Sequence, residues 1–412
     1  MAAPSTPISP LGNPFGNAQL LANPYPVYAM LRSANPVFTL PLPVPGPGVI
    51  VLTRHADVEH VLKHPRASVD RLRADVVQQF KDRLPVQLLG EEGGLRSMLL
   101  LDGADHARVR GLVSKAFTPR RVATLAPHIG HIVDTLLDAA LAKGGFDLMH
   151  ELAEPLPAIV IAELLGVPPE DHRQFKEWAA TLVNSLGRAG PLARGADFDA
   201  ALNALLDYLR GVIARRRADP RDDLISAMIA AQEERDALSD HELLSNSLLL
   251  LLAGHETTTN LIGNGVLALL RHRPQWERLR AERDLLENAI EELLRFDSPV
   301  QATVRVPLEE IAVSGHTLPR HALVVCGIGA ANRDPEAYAD PDTLDVARAN
   351  VRHLSFGFGA HFCLGAGLAR LEARIAFAAL LDRAPGLKLA SEELAYRPNF
   401  LLRGLAALPV SA

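Results

Sequence analysis

The segment HLSFGFGAHFCLGAGLAR, residues 353–370, holds Cys363, one of only two cysteines in the chain. Gly357 and Gly359 precede it, and Gly365 and Gly367 follow. Glycine lets a backbone bend sharply or approach a flat partner closely. Apolar residues at helical spacing begin just beyond, in GLARLEARIAFAALL. The sulfur therefore belongs at a helix amino terminus, where backbone amides and the helix dipole stabilise a thiolate. One thiolate with no neighbouring cysteine cannot build a zinc or iron–sulfur site unaided. On the residues alone two readings stand: a small buried hydrophobe, or the single protein ligand of a haem iron. A nucleophilic cysteine would want a histidine as base. His361 is two residues away, and i, i+2 side chains do not face each other in a helix.

A second constellation is Glu256 beside Thr257, in SLLLLLAGHETTTNLIG. Glu256 is i+4 from Leu252 and i+7 from Leu249, so it lies on a leucine-bearing face and a solvated role fits it poorly. A carboxylate next to a hydroxyl is a proton-transfer arrangement. A third is Glu292 with Arg295, i and i+3 on one helix. As a surface pair it would contribute only about 0.2–0.5 kcal/mol.

The elements that must position these groups are mostly helical. The spacing predicts a helix from Ser239 to His272. Ser239 and Glu242 form a capping box at its start, and Pro274 ends the pattern. Its ~32 residues would span ~48 Å, enough to cross a domain. Its middle is apolar on every face, as in a buried helix. Gly254, Glu256 and three threonines at its centre are poor helix chemistry, with Gly alone costing about 1 kcal/mol against Ala. Local rules tend to be broken at functional sites. Helices are also predicted over Leu125–Leu141, Phe198–Arg217 and Leu224–Glu234. Pro36–Leu40 and Gly48–Thr53 read as strands joined by the turn-forming PLPVPGPG. Val304–Cys326 alternates like strands, with turns at Ser314-Gly315 and Leu318-Pro319. Residues 1–26 read as an irregular arm. No repeat or composition break divides the chain, so the expectation for 1–412 is a single large, mainly α domain with small β-sheets.

The chain has 412 residues, 48% hydrophobic and 22% charged, with a net charge of -6. That balance argues against nucleic acid as the main partner. Cys326 and Cys363 rule out a disulfide framework and suggest a reducing cytoplasm. No apolar run, Leu248 to Ala253 included, approaches the roughly 18 residues of a membrane span. No targeting segment is read at the amino terminus. A soluble, cytoplasmic protein is the expectation.

Taken in order, the motifs resemble one family. FGFGAHFCLG resembles the haem-binding signature of the cytochrome P-450 family, F-x-x-G-x-x-x-C-x-G, and H-x-C-L-G is the form common in its soluble bacterial members. AGHETTT resembles the oxygen-activation motif A-G-x-[DE]-T. EELLR contains E-x-x-R. LLLDGADHARVRGLVSKAFTP resembles the haem-contacting helix, and ANRDPEAYADPDTLDVAR the segment before the cysteine loop. Each motif is weak alone; the five in sequence are specific, and the resemblance runs from about residue 20 to the end. The chain departs from the pattern at Gly103-Ala104, where relatives often have Pro-Pro. It departs again at Arg320-His321, where Ala-Gly is usual, and at Thr343-Leu344 in PDTL.

The resemblance implies the cytochrome P-450 fold and haem b (iron protoporphyrin IX) as cofactor, with Cys363 as the axial metal ligand. Phe356 and Gly365 would pack near the sulfur. His106, Arg110, Arg305 and His361 match positions that bind the haem propionates. Glu256 and Thr257 would be the acid–alcohol pair that delivers protons during dioxygen activation. Glu292 and Arg295 would lock the core beneath the haem, with Arg348 as third member. Leu249, Leu252, Ala253, Val300, Ala302, Phe400 and Leu401 would line the substrate pocket, and the variable recognition segments correspond to roughly 66–98 and 170–200. A haem-thiolate monooxygenase of secondary metabolism is implied, hydroxylating or epoxidising a hydrophobic small molecule. With no fused flavin or nicotinamide domain, its electrons would come from a ferredoxin and its reductase. Lys115, Arg120, Arg121 and Arg370 are candidates for the docking surface, and the run Arg215–Arg217 caps a helix carboxyl end. A peroxide-driven peroxygenase, a non-catalytic haem sensor or carrier, and a cysteine hydrolase are the competing readings. The acid–alcohol pair argues against the first two, since a peroxygenase typically lacks it and a sensor has no use for it.

Overall fold

The computed structural model describes residues 18–40, 48–79, 96–172, 174, 177–179, 181–182, 196–232 and 238–412. Most of the expected arm, most of the PLPVPGPG turn and much of the two variable segments lie outside them.

The centre is the long helix Asp240–Arg271, 32 residues capped by the reciprocal Ser239–Glu242 box. Helices Pro155–Leu164, Ala196–Ala218, Leu286–Phe296 and Ala366–Arg383 pack against it, Ala126–Leu141 packs on Ala366–Arg383, and their apolar faces merge into one large core. Small residues on the long helix set the closeness of these contacts. A Cβ on Gly254 would stand 3.1 Å from Ile161, one on Gly263 would stand 2.3 Å from Met149 Sδ, and one on Gly265 would stand 2.6 Å from the Phe377 ring. Gly254, a poor helix former, is thus explained partly by packing.

Strands β1 (Val37–Leu40), β2 (Val49–Leu52), β3 (Ala67–Ser68), β5 (Ala302–Pro307) and β8 (Leu323–Gly327) form a sheet in the order β1-β2-β8-β5-β3. Its β2–β8 pair is parallel and the others are antiparallel. Strands β4 (Gly145–Asp147), β10 (Pro409–Ser411) and β9 (Lys388–Leu389) make a second sheet, and β6 (Ile311–Val313) and β7 (His316–Leu318) make a hairpin. Ser314 and Gly315 turn that hairpin with φ of 42° and 74°, the positive pair that a two-residue hairpin turn requires.

Several boundaries differ from the sequence expectation. The helix predicted over Leu224–Glu234 runs Leu224–Ala230, beyond which Gln232 Nε2 donates to Leu238 O; 233–234 lie outside the described residues. Pro274 does not merely end the long helix; it sits in the first turn of the next, Arg273–Ala281, where its missing N–H has no helical acceptor to serve. Gly103 has φ +56°, a value closed to the Pro that relatives often carry there. His321 takes φ +62° in place of the usual glycine. Its backbone is held on both sides, by His321 N to Pro307 O and Asp75 N to His321 O. Among the described residues no helix is long and apolar enough to cross a membrane.

Candidate active site

Cys363 stands just before the helix Ala366–Arg383, with Gly365 at the N-cap. Its backbone N–H donates to Phe356 O at 2.8 Å, which closes the loop. Protein walls the thiol on most sides, yet the residue stays accessible on one. Burial pushes the thiol up, while the Gly365 and Ala366 amides and the Arg110 and Arg370 charges pull it down. The donors that would stabilise a thiolate are therefore in place. Gly357 and Gly359 have φ near +70°, 71° and 73°, so bending is what both supply. The close approach of Gly359 is to the helix His55–Lys63, where a Cβ would meet Leu62 O and Lys63 Cα at 3.2 Å. At Gly365 a Cβ would stand 4.0 Å from Cys363 Sγ. The Phe356 ring is covered by the Arg370 guanidinium at 4.5 Å.

Beside the loop lies a group of cationic side chains. His106 and Arg110 come from the helix Gly103–Ala116, Arg305 from β5, and His361 from the cysteine loop. The two imidazoles stack with centroids 4.0 Å apart. Burial, then His106 and Arg305, pushes His361 down to about 4. Burial and Arg110 lower His106. Arg305 is buried, and its guanidinium donates to Val304 O at 2.9 Å. Arg110 Nη2 donates to Phe362 O at 2.6 Å. Asp102, the nearby carboxylate, is occupied by Ser68 Oγ and by Val69 N at 3.1 Å. His106 Nε2 is buried and has no hydrogen-bond partner among the described residues. An orphaned buried nitrogen among underneutralised cations fits a ligand bearing carboxylates, as haem does with its two propionates.

On the long helix, residues 243–269 are buried except Leu249, Leu252, Ala253, Gly254 and Thr257. Leu249, Leu252, Ala253 and Thr257 share one open stripe on an otherwise enclosed helix, and Gly254 lies off it against Ile161. Thr257 Oγ1 donates to Ala253 O at 2.8 Å, which leaves its lone pairs free to accept. Glu256 shares that face by spacing, but it is buried, accepting from Arg397 Nη1 at 3.1 Å. Burial raises its pKa; Arg397 lowers it and Glu154 raises it again. Val300, Ala302, Phe400 and Leu401, expected at the substrate pocket, are all partly accessible. Their segments run antiparallel, with Gln301 N to Leu401 O at 2.8 Å, Arg403 N to Pro299 O at 2.8 Å and a Val300–Leu402 bridge.

The structure brings Glu292, Arg295 and Arg348 together. Arg295 donates Nε to Glu292 Oε2 at 2.7 Å and Nη2 to Oε1 at 2.8 Å, both side chains fully buried. Arg348 Nε donates to Glu292 Oε1 at 3.1 Å. The PDTL departure does not disturb this, because it is the backbone carbonyls of Pro341 and Thr343 that accept from Arg295. Among the basic residues expected at a docking surface, Arg370 is instead held bidentate by Glu291 at 2.7 Å, and Arg121 by Asp222 at 2.7 Å. Arg120 is exposed. Arg216 and Arg217 of the basic run pair with Asp223 and Asp240.

Sequence reasoning missed Arg397, Glu154 and Arg71. The first two meet Glu256 from segments far apart in the chain, and no short motif marks them. Arg71 is accessible, and burial followed by Arg305 lowers its pKa.

The fold and this site define a haem-thiolate type of protein, and the comparisons agree. The chain matches the Cytochrome P450 family over residues 13–384. It is 44% identical over 395 residues to the Vitamin D(3) 25-hydroxylase of Pseudonocardia autotrophica, covering 94% of each chain. The solved structure of the Bacillus subtilis bacillaene polyketide synthase cytochrome P450 PksS matches with a TM-score of 0.86 at 39% identity, covering 97% of this chain and 99% of that one. P450BioI, solved with a hexadec-9Z-enoic acid ligated acyl carrier protein, matches at 0.84 and 38% identity, covering 96% and 100%. The chain belongs to the cytochrome P450 family. It is an oxidoreductase of that family, and its cofactor is a haem.

Proposed function

We propose that this P450 is a monooxygenase that inserts one oxygen atom of dioxygen into a hydrophobic small molecule, by hydroxylation or epoxidation. Its electrons would come from a separate ferredoxin and reductase, and it would work in the cytoplasm. The observation that carries the reading is Cys363. It is an accessible thiol at a helix amino terminus, beside cations whose buried His106 Nε2 lacks a partner. Cys363 would hold the iron of haem b, and His106, Arg110, Arg305 and His361 would hold its propionates. When bound, the haem supplies the iron at which dioxygen is activated.

The remaining roles fall to the chain itself. Leu249, Leu252 and Ala253, with Val300, Ala302, Phe400 and Leu401 across the cleft, present apolar surface that would bind and orient the substrate. The similarity to a vitamin D(3) hydroxylase and to a polyketide-pathway P450 favours the same kind of substrate. Thr257 would hold a water or accept a hydrogen bond at the open stripe, and Glu256 would keep protons in supply behind it. That pair favours dioxygen over hydrogen peroxide as oxidant.

The test is the absorption difference spectrum of the dithionite-reduced holoprotein with and without carbon monoxide. A strongly red-shifted Soret band, lost in Cys363→Ala, is expected. Haem-replete protein without that band, or a variant that keeps it, would overturn the assignment.

A further inference from the structure

Glu256 is the inner end of a line of charged groups that reaches the surface. Its Oε1 accepts from Arg397 Nη1 at 3.1 Å. The same guanidinium donates through Nη2 to Glu154. Glu154 Oε2 lies 3.6 Å from His150 Nδ1. Side-chain exposure runs from 73% at His150 to 8% at Glu154, 19% at Arg397 and 4% at Glu256. We propose that His150, Glu154 and Arg397 form the proton-supply side of the active site, carrying protons from solvent to Glu256. The proposal rests on the monooxygenase reading and adds to it the route and its residues.

Arginine does not release its proton in proteins, so Arg397 is a positioning residue. It holds two buried carboxylates on one cation. With both ionised, that assembly carries a net negative charge in a place where charge is costly. One shared proton makes it neutral, as in other close carboxylate pairs. Glu154 and Glu256 therefore hold one exchangeable proton between them. Each turnover of substrate RH consumes dioxygen, two electrons from the external reductant and two protons, and gives ROH and water. When Glu256 gives up the shared proton toward Thr257, both carboxylates are left ionised. Glu154 then takes a proton from the imidazolium of His150, that proton becomes the one shared with Glu256, and His150 regains one from water.

The fold places each part. His150 lies within a π-helical turn, Met149–Ala153, and Glu154 caps its end, ahead of the helix Pro155–Leu164. Such turns often mark functional positions. Gly263 and Gly254 admit Met149 and Ile161 against the long helix, which brings this segment alongside Glu256. Arg397 is fixed from the other side, by Arg397 N to Gly404 O at 2.9 Å and by the Tyr396–Leu405 bridge. Lys143 and Glu151 make a separate surface pair at 2.6 Å and serve as a control.

The experiment uses the haem-loaded enzyme with a plant-type ferredoxin, its reductase and NADPH, and 7-ethoxycoumarin as the probe. Dioxygen consumption, the fraction of it ending as hydrogen peroxide, and the solvent isotope effect are measured whether or not the probe is converted. Glu154→Gln, nearly isosteric, is expected to shift the ratio of peroxide to water by about tenfold, less than the roughly 10²–10⁴-fold of an acid–base group at the reacting atoms because Glu256 remains, and to enlarge the isotope effect. Arg397→Gln should act in the same direction. His150→Asn should give a smaller change that higher buffer concentration reverses, and Lys143→Gln should change nothing. Peroxide-supported reaction of the same variants should stay at the wild-type level. A Glu154→Gln enzyme with wild-type partition and isotope effect would overturn the proposal. So would equal losses on the NADPH and peroxide routes, which would mark a structural role. Failure of the monooxygenase reading itself would show separately, as a wild-type protein without the thiolate carbon monoxide band.

Discussion

The rings of His106 and His361 stack at 4.0 Å between centroids, tilted by 37°, one from a helix and the other from the cysteine loop. Both are pushed down in pKa by burial and by the cations around them. Burial and like charge thus disfavour the protonated form of both rings.

Haem retention should depend on this pair. Hydrogen bonds to charged groups contribute about 1.5–3 kcal/mol each. His106→Ala is thus expected to speed haem loss roughly ten- to hundredfold, since each 1.4 kcal/mol or so is a factor of ten. Transfer of haem to excess apomyoglobin measures the rate. A variant that loses haem at the wild-type rate would remove His106 from the propionate site.

How much of this was legible beforehand depended on distance along the chain. The long helix was legible nearly to the residue, because its capping box and apolar run are local signals. Arg348 was legible only through the motif that frames it. Arg397 and Glu154 were not legible, since nothing near Glu256 in sequence indicates which segments will close over it. The partner of Arg370, a docking-surface candidate, was not legible for the same reason: Glu291 lies in another helix. Gly254 was read as a functional irregularity, and the packing of Ile161 was invisible.

The buried triad should show a clear order of cost. Arg295 is fully buried and donates to Glu292 and to the carbonyls of Asn332, Pro341 and Thr343. Removing one partner of a buried pair costs about 3–5 kcal/mol, because the other charge is left uncompensated. Arg295→Ala is expected to fall in that range or to yield no folded protein. Arg348→Ala should cost less, because Arg348 lies nearer the surface and Arg295 still pairs with Glu292. Denaturant unfolding compares them, and equal costs would contradict the order.

Two helical glycines should respond in opposite directions. A Cβ at Gly265 would stand 2.6 Å from the Phe377 ring and 3.2 Å from Leu293. Overpacking of that kind costs about 1–3 kcal/mol, so Gly265→Ala is expected to lower the melting temperature. Gly111 is exposed, with nothing within 4 Å of the added atom. Gly111→Ala should gain about 0.5–1 kcal/mol from helix propensity. Thermal unfolding of both variants decides. A stabilised Gly265→Ala would mean that the core has slack where the structure shows none.

Stability should also carry a pH signature from Glu291. Burial raises its pKa, but hydrogen bonds from Arg370 and His353 outweigh that and hold it at about 2, below the ordinary 4.5. A carboxylate depressed in the folded state adds stability that is present above the unfolded pKa and is lost as pH falls through the folded one. The window here runs from about 4.5 down to about 2. Glu291→Gln should therefore be less stable than wild type at pH 7, with a gap that narrows below pH 4.5. The same charge seats Arg370 on the Phe356 ring, next to the cysteine loop, so the variant should also hold haem less firmly. Denaturant midpoints between pH 7 and 3 test the first point. A gap that stays constant down to pH 3 would assign the cost to packing, and the Glu291–Arg370 charge pair would then contribute nothing to the fold.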